Sequence, residues 1–262
     1  MATTAGTGVA YAAPVTSLAG ATWPEIPVDP LLVVPLGSVE QHGHHLPLGT
    51  DTSVACAVAA AAAGALDGSL LAPALAYGAS GEHEGFPGTV SIGTAALAGL
   101  LLEYGRSAGR WARRLLLVNG HGGNLDALRS AVPRLRSEGR DVAWFACGSP
   151  GGDAHAGRTE TSLMLHVEPE GVLGSRAVAG ETTPIGALLP RLRAEGVRAV
   201  SPTGVLGDPA GASAEEGRAL LADLVDRLVG AARDWRVGED GRLVRPGDHE
   251  VITHASGAGG GR

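Results

Sequence analysis

Short runs of consecutive apolar residues recur along this chain, and each gives way abruptly to glycine and polar side chains. Leu31 to Leu36, Leu70 to Tyr77, Leu115 to Val118 and Val142 to Ala146 are apolar at nearly every position rather than at every second one, which predicts buried strands. A fifth, shorter strand is expected at Val90-Ser91-Ile92. Between these runs the apolar residues fall at helical spacing: Thr52 to Leu66, with Asp51 or Thr52 placed as its N-cap, Thr94 to Gly109, Leu125 to Glu138, a helix through Glu160-Thr161-Ser162-Leu163-Met164-Leu165, and Ser213 to Arg233, the clearest amphipathic pattern. Residues 81–89 and 171–212 read as loops from their glycine and proline. Strands alternating with helices predict an α/β fold, a three-layer sandwich with a mainly parallel sheet flanked by helices. With no internal repeat and no strong linker, residues 23–254 form one domain, with flexible segments at 1–22 and 255–262.

Composition narrows the partners. The net charge of −7 supplies no basic field for phosphates, and 3% aromatic residues leave little for base stacking, so nucleic acid is excluded as an expected partner. The first thirty residues contain no Lys or Arg and so lack the charged start of a secretory signal, and the Ala-rich run 55–65 is too short to span a bilayer. A soluble, cytoplasmic protein without membrane contact is expected. Two cysteines in apolar segments, Cys56 and Cys147, read as small hydrophobes rather than a disulfide.

The first strand runs into Glu40-Gln41-His42-Gly43-His44-His45 and, nine residues after His42, Asp51. Carboxylate and imidazole without thiolate are the donor set of Zn(II), Mn(II) or Fe(II) in a non-structural site. Strand ends at one edge of a parallel sheet converge, and ligands bind there. Glu40, His42 and Asp51 after the first strand, His121 after the Leu115–Val118 strand, and His155 with Glu160 after the Val142–Ala146 strand are therefore candidates for one site. His44 and His45 are expected at the surface or behind the ligands. Glu82, His83 and Glu84 are expected to line a pocket and bind substrate rather than hold metal. The glycines of Asn119-Gly120-His121-Gly122-Gly123-Asn124 suit clearance around a ligating imidazole. The competing reading is a phosphate cradle, but the spacing matches neither GxGxxG nor the P-loop. No GxSxG elbow is present, and neither cysteine sits in an activating context.

Taken together, Gly37-Ser38-Val39-Glu40-Gln41-His42-Gly43 with Asp51, Gly85-Phe86-Pro87-Gly88-Thr89, Asn119-Gly120-His121, and His155 through Glu160-Thr161-Ser162 resemble the creatininase family in order and spacing. The resemblance implies an α/β fold, a homo-oligomer, and a centre of two divalent ions that hydrolyses amide C–N bonds. It implies Glu40 and His121 on one ion, His42 on the other, Asp51 bridging both, and His155 as the catalytic histidine. Creatininase itself carries a glutamate ligand where this chain has Gly123; Glu160 is the expected replacement. The family's loop tryptophan is missing from Gly148 to Ala154, so a more open pocket is expected. Ser201-Pro202-Thr203-Gly204-Val205-Leu206-Gly207-Asp208-Pro209 resembles the peptidase branch of the family, whose members release a C-terminal Val-Tyr dipeptide from the modified precursor peptide of the redox cofactor mycofactocin. A peptide substrate is the expectation; a small-molecule amidohydrolase and a non-catalytic metal-binding protein are the alternatives.

Overall fold

A computed structural model describes residues 16–244. The expected tail 255–262 and residues 1–15 lie outside them. Of the remaining N-terminal residues, Thr16 accepts the Leu71 N–H through its carbonyl, and Leu18–Gly20 forms a single 3-10 turn.

Strands β1 (Leu31–Leu36), β2 (Ser69–Leu71), β3 (Arg114–Asn119) and β4 (Val142–Ala146) form one parallel sheet in the order β2-β1-β3-β4. Alternation along the strands sorts the core into two layers. Val33, Leu116, Val118, Ala143 and Phe145 pack on α1 (Thr50–Gly64), α4 (Arg158–Val167) and α7 (Ala214–Asp234). Leu32, Val34, Leu36, Leu115, Leu117 and Trp144 pack on α2 (Thr94–Ala108) and α3 (Leu125–Ser137). Burying each large side chain contributes about 1.5–3 kcal/mol. A one-residue slip would exchange the two faces, so the register is fixed. The result is the three-layer, parallel α/β sandwich that the pattern predicts.

Several local expectations fail for physical reasons. The run Leu70–Tyr77 pairs as a strand only to Leu71, because the next β1 nitrogen facing it after Leu31 and Val33 is that of Pro35, which has no N–H to continue the ladder; Leu75 rejoins β1 through a single bridge to Leu36. Val90-Ser91-Ile92 is not a strand. Val90 bonds to Val39 and Ile92 to Gly78, two different segments, so no ladder forms. Helix α1 starts two residues early, at Thr50, with Gly49 as its N-cap; Asp51 lies in the first turn and is free for other work. The stretch 171–212 holds α5 (Ile185–Glu195) and the short α6 (Val197–Val200); the internal Gly186 and Pro190 and the flanking Gly196 mask the helical pattern.

The topology sets the place for chemistry. Helix α1 leaves β1 toward one face of the sheet and α3 leaves β3 toward the other, which opens a crevice between two neighbouring strand ends. Side chains at Gly37 and Gly120 would collide with the first turn of α1 at Thr52 and Asp51. Both strand ends therefore let that turn press onto the sheet edge, and Asp51 enters the crevice.

Candidate metal centre

Glu40 and His42, Asp51, His121, and His155 with Glu160 come from four segments and meet in this crevice. Asp51 stands in the middle: its Oδ1 is 3.1 Å from His42 Nε2 and its Oδ2 is 3.2 Å from His121 Nδ1, while Ser38 Oγ donates to Oδ2 at 2.6 Å. Burial alone would raise the Asp51 pKa, but His42 and His121 outweigh it and hold the carboxyl well below its ordinary value. Glu40 lies 3.2 Å from His121 Nε2 through Oε2 and 3.3 Å from His83 Nε2 through Oε1. Glu160 Oε2 is 3.8 Å from His42 Nε2 and accepts the Ala156 N–H at 2.5 Å. Burial lifts the Glu160 carboxyl to about 7 although His42 opposes it.

Three sets of three donor residues have ligand atoms within 4.8 Å of one another: Glu40, Asp51 and His121; His42, Asp51 and Glu160; and Glu40, His42 and His155. Glu40 tests whether a cation fits. Its carboxylate is 0% exposed, yet neither oxygen has an aligned hydrogen bond. An ionised group left so is costly unless a charge satisfies it. His42 is also oriented for ligation, since its Nδ1 donates to the Glu40 carbonyl at 3.1 Å and leaves Nε2 facing Asp51 and Glu160. The oxygen and nitrogen donors present fit a divalent ion.

His155 is buried, with Nε2 2.8 Å from the Gln41 carbonyl and Nδ1 3.8 Å from Glu40 Oε1. Burial, then His42 and His83, push its pKa well below 6.5, so the ring is neutral. His83 is likewise buried and its ring lies 4.5 Å from that of His155. Glu82 sits at the lip, its Oε1 3.6 Å from His121 Nε2. Glu84 is exposed and makes no hydrogen bond or ion pair to these residues. His44 is exposed, and buried His45 bonds Thr161 Oγ1 at 2.9 Å, behind the donor cluster.

The space at Gly123 is filled. A Cβ there would lie 2.6 Å from Glu82 Oε1 and closer still to the Ala79 carbonyl and His121 Nε2. The phosphate-cradle reading of Asn119–Asn124 finds little support in the loop's bonding: Asn124 bonds the Gly37 carbonyl and the Ala79 N–H, Asn119 bonds the His121 carbonyl, and Gly120 N–H is bound to Leu36. These polar groups tie three loops together, and the N–H groups of Gly120, His121 and Asn124 are all bound within the loops.

Sequence reasoning overlooked Gln41 and Asp153. Gln41 lies between two candidate ligands, and its buried amide contacts two histidines. Asp153 accepts the backbone N–H groups of Arg158 and Thr159 and so caps α4, the helix that carries Glu160. Its signal was present as an acid five residues before the helix start, in a loop read only for its glycines. A cleft of about 260 Å³ lined by Asp29, Trp111, Arg113 and Asp141 opens at the opposite edge of the sheet and contains none of these donors. Cys56 and Cys147 are free and half-buried.

Fold and centre together define an α/β amidohydrolase. The family model described as creatininase, creatinine amidohydrolase, matches residues 19–232. A mycofactocin precursor peptide peptidase from Mycobacterium ulcerans is 58% identical over 231 residues, covering 85% of this chain and 90% of that protein. The Mycobacterium tuberculosis protein of the same name is 54% identical, covering 87% and 94%. The creatinine amidohydrolase of Pseudomonas putida is 32% identical, covering 79% and 90%. A crystal structure of creatinine amidohydrolase superposes with a TM-score of 0.70 at 28% identity, covering 86% of this chain and all of that one; a manganese creatininase gives 0.68 at 28%, covering 84% and 98%. The chain belongs to the creatininase family, and is a hydrolase of C–N bonds.

Proposed function

We propose that the chain is a metal-dependent peptidase that releases a C-terminal Val-Tyr dipeptide from the modified mycofactocin precursor peptide. The observation that carries this reading is the gap between its 58% identity to a peptidase of that name and its 32% identity to a creatinine amidohydrolase, both over most of the chain. The exposed loop Gly148, Pro150, Gly151 and Gly152 supports it, since no bulky side chain closes over the centre there.

Glu40 and His121 would hold one ion and His42 and Glu160 the other, with Asp51 shared between the two donor sets; zinc, iron(II) and manganese(II) suit these donors. Two such ions, when bound, polarise the scissile carbonyl and lower the pKa of water toward ~7. His155 supplies the proton path. Its neutral ring takes the proton of the attacking water at Nδ1, the nitrogen that faces Glu40, and returns it to the leaving amine of the dipeptide. Backbone bonding of Nε2 to the Gln41 carbonyl keeps the ring from turning away. Glu82 meets the substrate at the lip and His83 from the buried floor beside His155, and Glu84 extends that contact at the exposed rim. A cytoplasmic homo-oligomer belongs to the same proposal. No helix among the described residues is long and apolar enough to cross a membrane.

The test is incubation of the purified, metal-loaded protein with the modified precursor peptide and, separately, with creatinine, followed by mass spectrometry. Free Val-Tyr supports the reading; creatinine turnover with an intact peptide overturns it.

A further inference from the structure

Gln41 is 4% exposed and its side-chain amide lies among four polar partners. Gly43 N–H donates to Gln41 Oε1 at 2.9 Å, which fixes the oxygen end of the amide. The nitrogen end then has two hydrogens and three neighbours: the Gly204 carbonyl at 3.0 Å, His83 Nδ1 at 2.9 Å and His155 Nε2 at 2.9 Å. His155 Nε2 is also 2.8 Å from the Gln41 backbone carbonyl. A carbonyl can only accept, so His155 Nε2 bears a hydrogen and cannot accept another from the amide. The two amide hydrogens therefore go to the Gly204 carbonyl and to His83 Nδ1. This assignment gives each amide hydrogen an acceptor and leaves the 2.9 Å approach of the amide nitrogen to His155 Nε2 without a hydrogen bond, whereas a proton on His83 Nδ1 would leave one amide hydrogen with no acceptor at all.

We propose that Gln41 is a positioning residue that fixes complementary proton states in the two histidines flanking the centre. His83 is held bare at Nδ1 and presents Nε2–H to the Glu40 side, where Nε2 is 3.3 Å from Oε1. His155 is held protonated at Nε2 and presents a bare Nδ1 to the same oxygen at 3.8 Å. One ring is thus a hydrogen-bond donor and the other a proton acceptor at the same edge of the centre, and neither exchanges role by rotating. The amide reaches across 163 residues to Gly204. Gly204 has φ +82° and a Cβ there would overlap the Gln41 side chain, so the 201–207 loop closes on the amide only with glycine. The role given to His155 rests on the proposed function; the proton states do not.

The experiment is long-range ¹H–¹⁵N correlation NMR on the zinc-loaded full chain labelled at histidine, with resonances assigned through His83→Gln and His155→Gln. The expected wild-type spectrum shows Nε2–H and a bare Nδ1 for both rings. In Gln41→Glu, an isosteric acceptor, His83 gains a proton at Nδ1 while His155 keeps its pattern, and kcat on the precursor peptide falls at least ~10-fold with KM within ~3-fold. A wild-type His83 protonated at Nδ1 overturns the inference even if the variant fails to fold. So does a folded Gln41→Glu protein with unchanged His83 and kcat. Wild-type spectra as expected without any peptide cleavage would sink the proposed function and leave the positioning role standing.

Discussion

Two adjacent glycines give opposite expectations for the same substitution. A methyl group at Gly123 would sit 2.6 Å from Glu82 Oε1, well inside the 3.4 Å at which ordinary contact begins, and nearer still to the Ala79 carbonyl and His121 Nε2. Glu82 is a flexible side chain and can swing out, but Ala79 is backbone and His121 is pinned in the donor cluster. Overpacking of this kind costs about 1–3 kcal/mol. For a chain near this size each kcal/mol moves the unfolding midpoint by about 2–4 °C, so Gly123→Ala should lower it by about 2–12 °C. At Gly122 a Cβ meets nothing within 4 Å and the backbone φ is not positive. Gly122→Ala should be neutral or stabilise by about 0.4–1 kcal/mol through the unfolded chain. Displacing His121 should also weaken metal affinity by about 10–100-fold, the usual effect of disturbing a ligand's support. Calorimetry and competition with a chromophoric chelator read both quantities. If Gly123→Ala matched Gly122→Ala in midpoint and in affinity, the packing argument for the bare position would be wrong.

Chelation should lower the midpoint by about 5–10 °C when metal was present at ~100 times its Kd, because that occupancy contributes about 2.7 kcal/mol; Glu40→Gln should abolish the metal-dependent shift, and a variant still stabilised by metal would remove Glu40 from the ligand set. In the metal-free protein burial pulls the His42 pKa down, but Asp51, then Glu160 and Glu40, overcome it and raise it to about 10. The ring thus holds a proton at pH 7, and its contribution to metal-free stability is complete below about 6.5 and is lost as pH rises toward about 10. Metal loading at pH 7 should therefore release at least about one proton per chain, seen as a calorimetric enthalpy that varies with buffer ionisation heat; an enthalpy independent of buffer would contradict it. His155→Ala should keep its metal by elemental analysis and lose about 10²–10⁴-fold in kcat, and retained turnover would move the proton transfer elsewhere. Asp153→Ala should cost about 0.5–2 kcal/mol by uncapping α4 and loosen the hold on Glu160, read as a lower midpoint and weaker metal affinity.

The layers were legible because continuous apolar runs leave no choice of face. Leu31–Leu36 and Leu115–Val118 must be covered on both sides, and the helices between them supply the cover. The crevice between the ends of those two strands is a product of topology rather than composition, and it brought Glu40, His42, Asp51 and His121 together from distant positions. Legibility ended where backbone bonds decide locally. Pro35 in β1 ended the pairing with β2, and Ser91 Oγ took the N–H groups of Ser80 and Gly93 where a ladder had been expected. It ended also at helices whose pattern is broken by Pro190 and Gly186.

Gln41 shows why residues that act through others are hard to see in a sequence. Glu40 and His42 announce themselves by the chemistry of their own side chains. Gln41 has none of its own at this centre; its value lies in contacts at sequence separations of 42, 114 and 163 residues. The same holds for Asp153, which touches no candidate ligand and acts by fixing the first turn of the helix that carries Glu160. A donor set can therefore be proposed from spacing and sheet topology, whereas the groups that orient it become visible only when the hydrogen-bond capacity of each buried amide and carboxylate is counted in three dimensions.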